Sequence, residues 1–175
     1  LVPLANYMLI PPEQREERER ESRRQFDEMM AEFVGHPAPE FSFETIIGQK
    51  KRLSDFRGNF VLLDFWGSWC GPCVQEIPNL QQIYEKFGTR GLVMISISND
   101  ASVNKWDRAK LADYTAEKGM KWIQVLDDPT NTLHNLYKIQ FWPNMFLIDR
   151  EGNVLQRKGL TGDELARTLS GLLPE

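Results

Sequence analysis

Both cysteines of this 175-residue chain sit in one short stretch, Gly67-Ser-Trp-Cys-Gly-Pro-Cys-Val-Gln-Glu-Ile-Pro78, with only Gly71 and Pro72 between them. A bridge from Cys70 to Cys73 closes too small a loop to restrain much of the unfolded chain, so it is no structural staple. Zinc is a poor fit, because a structural site needs further ligands and the two histidines, His36 and His134, stand isolated in different elements. The pair is then either redox chemistry or two core thiols that happen to be neighbours. Redox chemistry needs a thiolate that attacks a disulfide and a second thiol close enough to resolve the mixed disulfide.

The elements on either side decide whether that need is met. Residues 60–66, FVLLDFW, are a continuous apolar, β-rich run, as expected of a strand covered on both faces. Residues 74–87 carry Ile77, Leu80, Ile83, Tyr84 and Phe87 at helical spacing. If Gly71 and Pro72 open that helix, Cys70 falls at its N-cap, where unpaired N–H groups and the positive end of the helix dipole favour a thiolate. Cys73 lies one turn further in, within bridging distance, and is expected to be the more buried thiol, as suits a resolving role. Pro72 is tolerated in a first helical turn, where its missing N–H would have had no partner.

The rest of the chain supplies a frame. FSFETI (41–46) alternates like a half-buried strand, LVMISIS (92–98) reads as a second buried strand, and residues 104–118 read as a helix with Trp106, Leu111 and Tyr114. WIQVLDD (122–128) is a short strand, residues 130–137 a short helix, and NMFLIDREGNVLQRKG two strands around Glu151-Gly152, before a closing helix over 163–173. Strands alternating with helices predict an α/β sandwich around a mostly parallel sheet that ends in an antiparallel hairpin. Ligands of such sheets bind beyond the C-terminal ends of the strands, which is where FVLLDFW delivers the cysteines.

Ahead of this domain, residues 1–11 (LVPLANYMLIP) form an apolar arm broken by Pro3 and Pro11. A charged run follows, with Glu16–Arg20 and Glu19–Arg23 at the spacing of a solvated helix. Its apolar residues, Phe26, Met29, Met30 and Phe33, gather at its C-terminal end, the end expected to dock, and Gly35 and Pro37 terminate it. The expected division is therefore 1–34 as arm and charged helix and 35–175 as the catalytic domain. A net charge of −4 leaves no basic stripe for a phosphate backbone, so nucleic acid is not an expected partner. No apolar run reaches the ~18 residues of a membrane span. The chain begins at Leu1, so a trimmed or processed product is expected, with any signal peptide or anchor removed from view.

FWGSWCGPC resembles the active-site strand and loop of thioredoxins, and the wider frame GHPAPEFSF…GQKKRLSDFRGNFVLLDFWGSWCGPCVQEIP resembles the TlpA/ResA-type thiol-disulfide oxidoreductases. EKGMKWIQVLDD, LYKIQFWPNMFLIDREGNVL and GLTGDEL continue the resemblance, which covers about residues 35 to 173. It implies a thioredoxin-like fold, a central mixed sheet flanked by helices, here with an N-terminal helical extension. Cys70 matches the attacking cysteine and Cys73 the resolving one. Asp64, six residues before Cys70, falls where thioredoxin keeps a buried acid that exchanges protons with the resolving thiol, although many TlpA-type members have asparagine there. Burial should raise its pKa, which suits proton transfer near neutral pH. Glu76 matches the glutamate of a C-x-x-E-x-P pattern and is either a second proton-handling group or a surface residue, and Pro78 matches the helix-kinking proline.

Trp69, Gly71, Pro72, Trp142 and Pro143 are implied as substrate-contacting residues. Pro143 matches the cis-proline facing the cysteines, beside which a substrate peptide pairs like an added strand. Trp142 and Asn144 depart from the smaller residue and threonine usual around that proline, which bears on substrate choice; the indole either lines the groove or turns into the core. The resemblance implies a protein-disulfide reductase that needs no cofactor and no metal, placed outside the bacterial cytoplasm, recharged by a membrane-bound electron donor, with apocytochrome c or other exported proteins as substrates. Two alternatives remain. A peroxidase shares the frame APEFSF…LSDFRGNFVLLDFW, but Leu63 and Gly67 stand where the proline and threonine of P-x-x-x-T-x-x-C belong. A redox-inert docking module would use the arm and charged helix, and the intact WCGPC speaks against it.

Overall fold

The computed structural model describes residues 11–173. The apolar arm, but for Pro11, lies outside the described residues. The chain divides into two compact units, one ending at Phe33 and the other beginning at Val34. The first holds helix α1, Pro12–Ala31, opened by a proline at its first position. The Arg20–Glu16 pair at 3.6 Å and the Arg24 pairs with Glu21 and Glu28 line its exposed surface. Among the described residues no helix is long and apolar enough to cross a membrane.

The second unit is a five-stranded mixed sheet: β3 (Phe60–Trp66), β4 (Leu92–Ser98), β5 (Ile123–Leu126), β6 (Asn144–Ile148) and β7 (Val154–Gln156) in the order β5-β4-β3-β6-β7. β3, β4 and β5 run parallel, β6 runs antiparallel to β3, and β7 runs antiparallel to β6. Every residue of β3 is buried, as its unbroken apolar pattern requires of a central strand. Alternation sends Phe60, Leu62, Asp64 and Trp66 to one face. There, helices α2 (Gly71–Phe87) and α6 (Gly162–Leu172) pack Ile77, Leu80, Ile83, Leu165 and Leu169 into the main core. Phe65 goes to the other face, against Phe146, Tyr137 and His134.

Three expected elements are redrawn. FSFETI contributes only β1, Ser42–Glu44, which pairs with β2, Lys50–Arg52, in a separate two-stranded sheet. The helix expected over 104–118 begins later, as α4 (Arg108–Glu117), and a single turn that was not expected, α3 (Asp100–Val103), precedes it. Lys105 has φ of 58° between them, and the Asp107 side chain caps α4 by accepting from the Lys110 N–H at 2.8 Å. The helix expected over 130–137 is a single turn, α5, Thr132–Leu136.

Candidate active site

β3 ends at Trp66, and the chain turns through Gly67, Ser68 and Trp69 into α2 with Cys70 as the N-cap residue. The cysteines form a disulfide with Cα atoms 5.3 Å apart, and the Cys73 N–H donates to Cys70 Sγ at 3.2 Å. A free helix-end N–H thus points at the sulfur whose anion it stabilises. The expected contrast in burial is not present in this disulfide state: Cys70 and Cys73 are 5% and 4% exposed. What separates the two sulfurs is position, one at the helix cap and the other a turn inside.

The turn before Cys70 is built around a carboxylate that sequence reasoning passed over. Asp100 is fully buried at the start of α3. It accepts from the Ser68 N–H at 2.9 Å and the Ser68 hydroxyl at 2.6 Å, from Asn104 at 2.6 Å and from the Ser98 hydroxyl. Its neighbour Asn99 accepts from the Trp69 indole N–H at 2.9 Å. Gly67 leaves room for this arrangement, since a Cβ there would run into the Trp69 indole and Asn99 Oδ1. The only hint in the sequence was a polar Ser-Asn-Asp at the C-terminal end of a buried strand.

Asp64 lies mid-strand on the α2 face, 3% exposed. Burial pushes its carboxyl up to about 7; the nearby Glu76 charge adds to the rise, and a hydrogen bond from Ser96 opposes it. The Ser96 hydroxyl reaches Asp64 Oδ2 at 2.8 Å, and the Trp122 indole N–H reaches the Ser96 oxygen at 2.8 Å. Glu76, half-buried on α2, accepts from Asn79 at 2.5 Å and from the Gly162 N–H at 2.7 Å, capping α6 where Thr161 provides no side-chain cap.

Opposite the cysteine loop, the Trp142–Pro143 peptide is cis and leads into β6. The half-buried Trp142 ring packs edge-on against Trp69 at 5.2 Å and beside His134 at 6.1 Å. Trp69 is 43% exposed and Gly71 and Pro72 are open, so these residues form a surface beside the disulfide. The Trp142 indole belongs to both groove and core. His134 is not isolated: its Nδ1 hydrogen-bonds Asp127 Oδ2 at 2.7 Å, both residues being buried. The carboxylate also accepts the Leu133 and His134 N–H groups at the start of α5, which makes the pair a fixture of that turn.

Residues 34–157 match the AhpC/TSA family. The chain is 31% identical over 151 residues to the thiol-disulfide oxidoreductase ResA of Geobacillus kaustophilus, covering 85% of this chain and 83% of that one. Among solved structures, it is similar to the thioredoxin domain of a thiol-disulfide oxidoreductase from Bacteroides vulgatus, with TM-score 0.70 and 29% identity over 80% of this chain and 97% of that one. A thiol:disulfide interchange protein from a Bacteroides species aligns with TM-score 0.71 and 28% identity, over 81% and 91%.

Proposed function

We propose that this chain, which belongs to the AhpC/TSA family and within it to the ResA-like thiol-disulfide oxidoreductases, reduces the disulfides of other proteins through Cys70 and Cys73. The observation that carries the reading is a Cys70–Cys73 disulfide at the N-terminus of α2, with a helix-end N–H on Cys70 Sγ. The Cys70 thiolate attacks one sulfur of a substrate disulfide; a Cys70–substrate bond forms, the substrate bond breaks, and the departing thiolate takes up a proton. Cys73 then gives its proton to the Asp64 carboxylate and attacks Cys70 Sγ. The Cys70–Cys73 bond forms and the second substrate thiolate leaves, to be protonated in turn. Counting the proton that Cys70 released to solvent on becoming a thiolate, the dithiol has lost two electrons and two protons, and the substrate has gained both.

The surface of Trp69, Gly71, Pro72, Trp142 and Pro143 receives an extended substrate segment beside the disulfide. Glu76 holds α6 and, through its charge, strengthens the hold of Asp64 on a proton once it has taken one. Catalysis belongs to the unit beginning at Val34, with the charged helix as an extension. Kinship with ResA supports an extracytoplasmic setting, a membrane-bound electron donor, and exported proteins such as apocytochrome c as substrates. Insulin-disulfide reduction against hydrogen-peroxide consumption, each with wild type and Cys70→Ser, tests the activity. The expected result is insulin reduction that Cys70→Ser abolishes, with little peroxide turnover; Cys70-dependent peroxide turnover without insulin reduction would make the protein a peroxidase.

A further inference from the structure

A hydroxyl that carries one proton can be forced to spend it in one direction, and Ser96 is in that position. It is fully buried on β4, in register with Asp64 on β3 and Gln124 on β5, so the three side chains share a row on the α2 face. The indole of Trp122, two residues before Gln124, lies on the same face at 2.8 Å from Ser96 Oγ. An indole N–H donates and never accepts, so Ser96 meets Trp122 as the acceptor. Its own proton is then left for its other partner, Asp64 Oδ2, at 2.8 Å. Gln124 does not compete, since its buried carboxamide makes no hydrogen bond. Trp122 is itself held by the Tyr84 ring of α2 at 5.9 Å and is 5% exposed, so the donor has little freedom to turn away.

We propose that Trp122 and Ser96 form a one-way hydrogen-bond relay, positioning residues that keep Asp64 Oδ2 an acceptor, direct proton uptake to Oδ1, and so set how readily Asp64 takes the Cys73 proton. The proposal rests on the reading of Asp64 as the proton acceptor. If Oδ2 were the protonated oxygen, Ser96 would face two donors and its own proton would be stranded in a buried site, which costs the desolvation of an unpaired polar group. Oδ1 carries no such conflict. The relay also works against burial, because a donor fixed on the carboxylate favours the ionised form that can accept a proton. The other titratable groups that bear on Asp64 are Glu76 from α2 and, in the proposed reaction, Cys73; β6 presents Met145 opposite it, and β5 and the residue before it add Gln124 and Trp122, none of which titrates.

The test uses the reduced full chain and two readouts. Asp64 titration is followed by its carboxyl carbon resonance, and the resolving step by stopped-flow release of 2-nitro-5-thiobenzoate from its mixed disulfide with Cys70. Ser96→Ala should raise the Asp64 midpoint by about one pH unit, a tenfold change in the ionisation equilibrium. The pH profile of thiolate release should move with it. Trp122→Phe should move both in the same direction by less, since the freed hydroxyl still reaches Asp64. The double variant should go no further than Ser96→Ala, and Ser96→Thr, which keeps the hydroxyl, should restore both. An Asp64 midpoint unmoved by Ser96→Ala, or single-variant shifts that simply add, would overturn the relay. A midpoint that moves while the release profile stays fixed would leave the hydrogen bonds standing and overturn Asp64 as the acceptor, and with it the catalytic part of the proposal.

Discussion

At the scale of single residues, the two sulfurs should separate by experiment. Cys70→Ser should abolish disulfide reduction, whereas Cys73→Ser should still attack and remain bound to its substrate, visible as a mixed disulfide on non-reducing gels. Trapping by Cys70→Ser instead would reverse the assignment. Asp64 should also leave a mark on stability. Its carboxyl is raised from 3.8 to about 7 in the folded protein, so between those values the native state holds a proton that the unfolded state has released. Folding is then unpenalised below the unfolded pKa, loses stability as pH rises, and bears the full cost above about 7. At 1.36 kcal/mol per unit that cost is on the order of 4 kcal/mol. Asp64→Asn has no such charge to bury. Its stability relative to wild type, from urea unfolding of the oxidised proteins, should improve from pH 4 to about pH 7 and level off above that. A constant difference would mean that Asp64 ionises like an exposed carboxyl.

At the scale of elements, what held the cysteine loop was the part of the site that the sequence concealed. The dithiol, its helix, the strand before it and the buried acid within that strand were legible, because periodicity and two unique residues mark them. Asp100 was not, because a carboxylate at a strand end looks like any solvated turn until four donors are seen to converge on it. β2 was hidden for a related reason: Lys50, Lys51 and Arg52 show no apolar alternation, their pairing with β1 being backbone work. The helix expected over 104–118 starts only at Arg108 because Asp107 is a stronger start signal than the apolar spacing across it. Two variants test the loop. Gly67→Ala would push the Trp69 indole off Asn99, and should lower kcat/KM for insulin reduction by about tenfold or more while Cys70 and Cys73 still form their disulfide. Asp100→Ala strands the Ser68 N–H and its companions, and should lower stability by about 3 kcal/mol or more in urea unfolding. Wild-type kcat/KM in Gly67→Ala would show that Trp69 has no part in substrate capture.

At the scale of the whole molecule, reducing power is a comparison of two folded states. A folded protein that holds its disulfide more firmly than its unfolded chain does gives up electrons readily, and by closure of the cycle its oxidised form must be harder to unfold than its reduced form. The oxidant DsbA stands at the other pole, because there the reduced form is the stabilised one. In this chain the oxidised pair is part of the core: Cys70 and Cys73 pack with Trp66, Ile77 and Met145 in the same buried cluster as the sheet and α2. Reduction puts two thiols in that space, one of which is drawn toward the thiolate by the helix end. With Gly71-Pro72 between the cysteines, as in thioredoxin, the couple should lie at roughly −270 mV, about 150 mV below DsbA, and every 30 mV is about 1.4 kcal/mol of difference between the two redox forms. The oxidised protein should therefore melt above the reduced protein in paired thermal scans at pH 7, and equilibration with glutathione should leave it oxidised except at strongly reducing ratios. A reduced form that melts higher, together with a potential above about −180 mV, would mean that the protein donates its disulfide, so that electrons flow into Cys70 and Cys73 from its partners.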